Sequence, residues 1–504
     1  MDTIDHESEI EDETNELSIS AITLNCWGLL FFSKHRLQRI QSIADYLSEQ
    51  KYDIVFLQEL WVKSDYELIR QKTSSIYKFA HLFPTKSIIG TSGLAILSKW
   101  SPTHISFMPF TVNGSPFRPW HGDWFTGKGT GYIRVDLNDL RIHLFCTHMH
   151  AQYSDDEDIS DQYSIHRICQ SYQLAKFINM TEDLVSNAGK CELFLLAGDL
   201  NTSPEEFPFQ LLKSITGLNN ICHPGSNGFN HINDLITCGN VENSFTDTLC
   251  SNQSKDDNNS RHKQQLKQGK QIDFILYKMV NDRNSQKSQL STITYLNSTV
   301  PDLSFNCTAE KLQCQSKDPK TGLSFSDHQP VAVRFKTKKV DQQQQLSNQR
   351  KVKESGDHSG TSNMMKRGSF DTTDSSSGFT DSVKCPQLGG TNLEKASKLM
   401  RSYINENEKS KLKLTYSLIL FALTLVIGLF MVNLYHDYIS SPLMVTICSL
   451  LILVVGIIIM AIEISFRFEQ HGIKSILEEM DCSLSSSSLS PFNQPVNHSN
   501  KCNQ

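Results

Sequence analysis

The chain has 504 residues, 38% of them hydrophobic, which is too long for one ordinary domain and apolar enough for a large core plus further segments. Its formal net charge of −6 argues against nucleic acid as a partner, because a phosphate backbone calls for a basic footprint. The opening residues contain no Lys or Arg and no apolar run, so they do not read as a secretory signal, and residues 1–19 are expected to form an acidic disordered tail.

From Ser20 to about Thr337, short apolar runs alternate with amphipathic stretches, and residues 20–337 are read as one large domain. Ala21–Trp27 reads as a first strand, and Leu37, Ile40, Ile43, Ala44 and Leu47 then recur at helical spacing. Strand-like runs follow at Asp53–Leu57, Gly93–Leu97, Gly131–Leu137, Ile142–Thr147, Leu193–Ala197, Ile272–Tyr277 and Val331–Phe335, with a longer helix from about Ser164 to Asn187. Many strands with few helices between them predict an α/β fold of two packed sheets with helices outside, an α/β sandwich. Residues 252–271 are polar enough to be a loop insertion. Residues 338–390 cannot bury enough apolar surface to offset their ordering entropy, and are expected to be a disordered linker.

A basic juxtamembrane segment, 391–413, leads into two apolar stretches, 414–434 and 443–462, each close to the ~20 residues that cross a bilayer core. The short spacer suits a turn between antiparallel transmembrane helices; a buried hairpin of a soluble protein is the bland alternative. Lys395, Lys398, Arg401, Lys409, Lys411 and Lys413 precede the first span, Arg467 and Lys474 follow the second, and the spacer has no Lys or Arg. The positive-inside rule therefore places the large domain and both termini in the cytosol, on an endomembrane (endoplasmic reticulum or Golgi) or the plasma membrane. The same basic cluster suits anionic lipid headgroups. Residues 475–504 are Ser- and Asn-rich and are expected to be disordered.

Three acidic signatures adjoin apolar runs: Ile54–Glu59, Leu193–Asn201, and Ser326-Asp327-His328 before Pro330–Val333. A carboxylate at the end of a buried strand lies at the rim of a sheet, where ligands bind in layered α/β proteins. Hard oxygen ligands with a histidine are what a divalent cation and a phosphoryl group need together, which points to a metal-assisted phosphodiesterase. Glu59 is the first choice of metal ligand. Asp199 and Asn201, two apart, point to one face and can hold a water and a phosphoryl oxygen side by side. His328 titrates near neutrality and is the candidate general base. Taken singly, each has an ordinary reading: a helix-capping Glu59, an Asx turn at Asp199 and Asn201, a loop histidine at 328. His148 and His150 form an HxH pair that would also fit zinc, although only Cys146 lies near them as a further soft ligand. Gly122–Lys128 has the GxxxxGK spacing, but Gly129 stands where a nucleotide loop needs Ser or Thr, so a nucleotide site is rejected. It reads instead as an aromatic loop at a site mouth, with Phe117, Trp120, Trp124 and Phe125 able to touch lipid or a quaternary ammonium.

The order and spacing of Asn25, Glu59, Asp199, Asn201, Asp327 and His328 resemble the endonuclease/exonuclease/phosphatase superfamily, with its deoxyribonuclease I-like fold. Within it, Leu24–Gly28, Ser33–Arg36, His121–Phe125, Thr147–Ala151 and the C-terminal pair of apolar segments resemble the membrane-anchored neutral sphingomyelinases. The resemblance implies a Mg²⁺ ion held by Glu59 with Asn25 assisting through its side-chain oxygen and Asp327 in the same cluster. It further implies that Asp273 orients His328, that His148 is a phosphate-binding donor, and that Asn201, Trp124 and Phe125 meet substrate. The implied reaction is hydrolysis of sphingomyelin to ceramide and phosphocholine at the cytosolic face of a membrane, where anchoring confines the search for a lipid to the membrane plane. A lysophospholipid phospholipase C is the alternative; an inositol-phosphate phosphatase, a nuclease or a non-catalytic anchored protein fit less well. Deletion after about Met400 is expected to leave a soluble active enzyme.

Overall fold

Within residues 20–337 the apolar runs become the central strands of two six-stranded sheets in a computed structural model, which describes residues 16–87, 89–115, 121–153, 161, 163–185, 190–222, 235–246, 269–281, 305–339, 386–436 and 441–488. In chain order the strands are β1 (Glu16–Asn25), β2 (Ile54–Gln58), β3 (Phe79–Pro84), β4 (Thr91–Ser98), β5 (His104–Pro109) and β6 (Gly129–Leu137). β7 (Leu140–His148), β8 (Cys191–Asp199), β9 (Asn219–Asn220), β10 (Asp273–Val280), β11 (Phe305–Leu312) and β12 (Val331–Lys339) complete them. The helices are α1 (Arg36–Gln50), α2 (Lys63–Lys72), α3 (Asp123–Thr126), α4 (Ser164–Val185), α5 (Phe207–Thr216), α6 (Pro386–His436) and α7 (Ser441–Ser488). One sheet runs β11-β12-β1-β2-β4-β3 and the other β5-β6-β7-β8-β10-β9.

Ile19, Ala21, Phe56 and Ile96 from the first sheet meet Ile142, Leu144, Leu193 and Leu195 from the second in the central core. Burying each such side chain contributes about 1.5–3 kcal/mol. Helices α1 and α2 cover the outer face of the first sheet through Ile40, Ile43, Leu47 and Ile69. Helices α4 and α5 cover the second through Leu174, Ala175, Ile178 and Leu212. The result is a deoxyribonuclease I-like α/β sandwich, as the sequence predicts.

Register brings the acidic signatures to one edge. β1 and β2 are parallel, with Asn25 opposite Gln58, and β7 and β8 are parallel, with His148 opposite Asp199. β10 and β12 run the other way, so their first residues, Asp273 opposite Asp199 and Val331 opposite Thr23, arrive at that edge too.

The C-terminal region differs from expectation. Ile473, Ile476, Leu477 and Met480 are buried at helical spacing in α7, which continues to Ser488, so residues 475–488 are not a disordered tail. The Ser-rich composition hid an apolar stripe. α6 likewise begins at Pro386, inside the expected linker, and buries Ala396, Met400 and Ile404. Both stripes pack on Val112, on Ile168, Cys169 and Tyr172 of α4, and on Leu211 of α5. β1 also starts within the expected acidic tail, where Glu16 pairs with Lys338. Further along, α6 and α7 expose Ile419, Phe421, Phe430, Leu453 and Ile457, and both are long and apolar enough to cross a membrane. The bulk of the insertion and linker and the extreme termini lie outside the described residues.

Candidate active site

Three strand ends build the floor of the site. Asn25 closes β1, Glu59 directly follows β2, and Asp199 closes β8. The Asn25 amide donates to Glu59 Oε1 and to Asp199 Oδ2, each at 3.0 Å, while its oxygen accepts the Trp27 N–H at 3.0 Å. That oxygen therefore faces the backbone in this arrangement. Trp27, Glu59 and Asn201 all have left-handed backbones, with φ of 46°, 54° and 46°. Such strain is of order 1–3 kcal/mol per residue and gathers at functional sites. Gly198 is obligatory: a Cβ there would lie 1.9 Å from the Thr147 carbonyl oxygen of β7. The Asn201 N–H bonds Asp199 Oδ1 at 2.9 Å and its side-chain amide donates to the Met149 carbonyl at 3.0 Å.

His328 enters from the loop before β12. Its Nδ1 lies 2.8 Å from Asp273 Oδ2 and 4.0 Å from Asp199 Oδ2. Burial alone would depress this imidazole, but the Asp273 carboxylate and the Cys238 thiol outweigh it and hold His328 well above its ordinary value. Burial pushes the acids upward as well. Glu59 is raised by burial and by Asp327, and Asp199 rises to about 7 through burial and the Asp273 charge. Asp327 is raised by burial although His328 opposes it, and its Oδ1 accepts the Ser326 hydroxyl at 3.0 Å.

A second buried cluster stands beside this floor. The Lys128 ammonium lies 2.9 Å from His148 Nε2, donates to the Met149 carbonyl at 2.9 Å, and is paired with Asp123. Burial, reinforced by Lys128, drives His148 well below its ordinary value, so the imidazole is neutral. For Asp123, burial is outweighed by Lys128 and His150, which hold the carboxyl below its usual range. Asp123 also accepts the Tyr153 hydroxyl at 2.7 Å. His150 is lowered to about 3 by burial and stacks on Tyr163 at 3.9 Å. Trp124 is half exposed on α3 with Phe125 edge-on at 5.0 Å; Phe117 and Trp120 lie outside the described residues. Lys128 and Asp123 join the candidate site although the sequence alone does not single them out; the only signal there is the Gly-Lys step of the loop.

Helix α7 reaches almost to this cluster. Glu469 Oε1 accepts the Tyr403 hydroxyl of α6 at 2.6 Å and lies 3.3 Å from His166 Nε2, whose ring is 5.3 Å from that of His150.

The donor set fits a hard divalent cation. Glu59 Oε2 and Asp273 Oδ1 are buried without a hydrogen-bond partner, and burying such oxygens unpaired is costly unless a cation meets them. Asp199, Asp273 and His328 place one ligand atom each within 4.8 Å of one another. Among the described residues no comparable group includes both His148 and His150, which removes the main support for a zinc site there.

The same constellation connects the chain to known proteins. Residues 22–328 match the model of the endonuclease/exonuclease/phosphatase family. Human sphingomyelin phosphodiesterase 2 is 39% identical over 202 residues, which cover 40% of this chain and 45% of that protein. The inositol phosphosphingolipids phospholipase C of Schizosaccharomyces pombe is 32% identical over 197 residues, covering 39% of this chain and 44% of its own. The chain thus spans a little under half the length of these curated relatives. With its family model matched from β1 to His328, and with the matching strand ends converging on one oxygen-rich cluster, the chain belongs to the endonuclease/exonuclease/phosphatase family.

Proposed function

We propose that the chain is a Mg²⁺-dependent phosphodiesterase that cleaves sphingomyelin, in the manner of a phospholipase C, to ceramide and phosphocholine. The observation that carries this reading is the His328–Asp273 pair, 2.8 Å apart, facing a pocket where Glu59 Oε2 has no partner. The choice of a phosphosphingolipid is supported by the names of the relatives. Membrane attachment through α6 and α7, with the domain on the cytosolic side, is supported by their length and by the basic residues that flank them.

Glu59 would hold the Mg²⁺ ion, with Asp327 and Asn25 beside it, and the bound ion would offset negative charge on the phosphoryl oxygens. Asp273 fixes the tautomer of His328: Nδ1–H donates to Asp273 Oδ2, so that in the deprotonated form, which the raised pKa places on the alkaline side of the profile, Nε2 is left to take the proton of an attacking water. The resulting imidazolium is stabilised by the same carboxylate. Asp199 and Asn201 position water and phosphoryl oxygen. Attack on phosphorus forms the new P–O bond as the bond to the ceramide oxygen breaks opposite. Lys128 meets Nε2 of the neutral His148, the nitrogen that lies 3.6 Å from Asp199 Oδ2, so its ammonium stands beside the floor of the site, where it would offset charge developing on oxygen.

The test is one parallel assay. The purified full chain, reconstituted in vesicles with Mg²⁺, is offered sphingomyelin, lysophosphatidylcholine, an inositol phosphate and DNA. Ceramide release that stops with chelator and returns with Mg²⁺ is expected. Faster turnover of lysophosphatidylcholine, or rescue by zinc alone, would replace the reading with one of its alternatives.

A further inference from the structure

The loop after β1 exposes Leu30, Phe31 and Phe32, Phe31 to 87% and Phe32 to 79%, and Leu37 is exposed at the start of α1. Nothing in the reaction uses them. Single exposed apolar residues are ordinary, but three in one short loop with a fourth just beyond it make a patch, and such patches mark interaction surfaces. The loop is also held in shape. The Ser33 N–H and hydroxyl both donate to the Leu29 carbonyl, at 3.2 and 2.8 Å. The buried Arg39 guanidinium donates to the carbonyls of Cys26, Trp27 and Lys34 at 2.7–2.9 Å.

The direction this patch faces follows from α4. That helix is the crossover between the parallel strands β7 and β8, so it starts at the edge holding His148 and Asp199. α7 runs alongside in the same direction, with Glu469 near His166 at the start of α4 and Glu479 bonded to Lys176 further on. Followed backwards, α7 therefore leaves the domain at the active-site edge. Between Glu469 and Glu463, where its apolar segment ends, it rises about 9 Å. α6 is antiparallel to α7, with Ser397 on Asp481 and Lys411 paired with Glu463, and leaves at the same edge. The loop springs from Asn25 at that edge as well.

We infer that the loop at residues 29–35 is a second membrane contact, which seats Leu30, Phe31 and Phe32 in the interfacial layer of the bilayer that α6 and α7 cross. Trp124 faces the same layer from the α3 side of the mouth, a setting that suits an aromatic ring at a lipid interface. The site mouth is thereby pressed onto the surface from which its substrate must be drawn. The inference rests on α6 and α7 being membrane-spanning, and the experiment separates the two.

The full chain is reconstituted in phosphatidylcholine–sphingomyelin vesicles with photoreactive benzoylphenylalanine at position 31, at Phe421 in the apolar segment of α6, or at Leu184. Leu184 is 83% exposed at the far end of α4. Lipid adducts at 421 and 31 but not at 184 are expected. Adducts at 421 without any at 31, or equal adducts at 31 and 184, overturn the loop contact alone. No adduct at 421 overturns the spanning reading and the loop contact with it. In addition, the Phe31→Ser/Phe32→Ser variant should turn over vesicle sphingomyelin at least ~10-fold more slowly while hydrolysing a monomeric short-chain sphingomyelin at the normal rate. Equal rates on both substrates, or equal losses on both, also overturn the contact.

Discussion

Replacing Asp273 with Asn keeps the side chain's size and removes the charge that meets His328 Nδ1 at 2.8 Å. A hydrogen bond to a charged group is worth about 1.5–3 kcal/mol, or ~10–100-fold in rate if it acts on the transition state. The amide can also present an N–H to Nδ1, which moves the imidazole proton to Nε2, where the base must be free. Both effects together predict a loss of about 10²–10⁴-fold, the range of a general base. The pH profile gives a second readout. Asp273 raises His328, so without it His328 binds protons less tightly, and the acid limb of kcat/KM, which reports the deprotonated base, moves to lower pH. Two effects on stability oppose each other, the loss of the buried His328 pair and the relief of the Asp273–Asp199 repulsion, so the fall in activity should exceed what any change in Tm accounts for. Ceramide release across pH and thermal unfolding of the same preparation are the measurements. Activity within threefold of wild type, an acid limb that moves up, or a loss that merely follows a lower Tm would refute the assigned role.

Mg²⁺ should raise the Tm of the metal-free wild type and leave Glu59→Gln unmoved, with turnover of the variant down by more than ~100-fold. Since the folded pKa of Glu59 is raised, its charge destabilises the metal-free fold at neutral pH; the Gln variant should melt higher there, and the gain should fade as pH falls through the raised folded value and be gone by about pH 4. Lys128→Met strands the buried Asp123 carboxylate and should lower stability by about 3–5 kcal/mol, whereas Lys128→Met/Asp123→Asn should regain stability without activity. The depressed pKa of Asp123 means its contribution is present above about pH 4 and is lost as pH falls through the folded value; Asp123→Asn should lack that acid limb in a Tm–pH curve. Deleting the chain from Pro386 uncovers Val112, Ile168, Tyr172 and Leu211 and should give a fragment that aggregates or needs detergent; a monodisperse fragment by light scattering would contradict the packing.

The strands legible in the sequence are the interior ones, buried on both faces and therefore written as continuous apolar runs such as Leu193–Ala197. The four that went unread, β3, β5, β9 and β11, are the two edges of each sheet. β11 alternates partly buried and exposed positions, with Asn306, Thr308 and Glu310 exposed, and β5 has no fully buried residue, so neither makes an apolar run. Glu59, Asp199 and His328 are legible because each terminates or adjoins one of the interior strands, whereas Asn25 and Asp273 are singled out by the family resemblance. Lys128 is not legible, because its GxxxxGK spacing lacks the Ser or Thr of a nucleotide loop and no strand run precedes it. Its importance comes from Asp123 and His148, contacts that only folding creates. The helical end at Ile476–Met480 was hidden by the serines that follow it.

α6 and α7 each run unbroken from the face of α4 and α5 into an apolar segment, as a pair of stiff struts. A string-like leash would let the domain roam over nearby surfaces, including those of apposed membranes. Struts of fixed length hold the catalytic opening at one height and one tilt. On the proposed membrane-spanning reading, an enzyme built this way would take lipid from the leaflet beneath it and leave neighbouring bilayers alone, and lengthening both struts by one turn would lift the opening clear of its own supply.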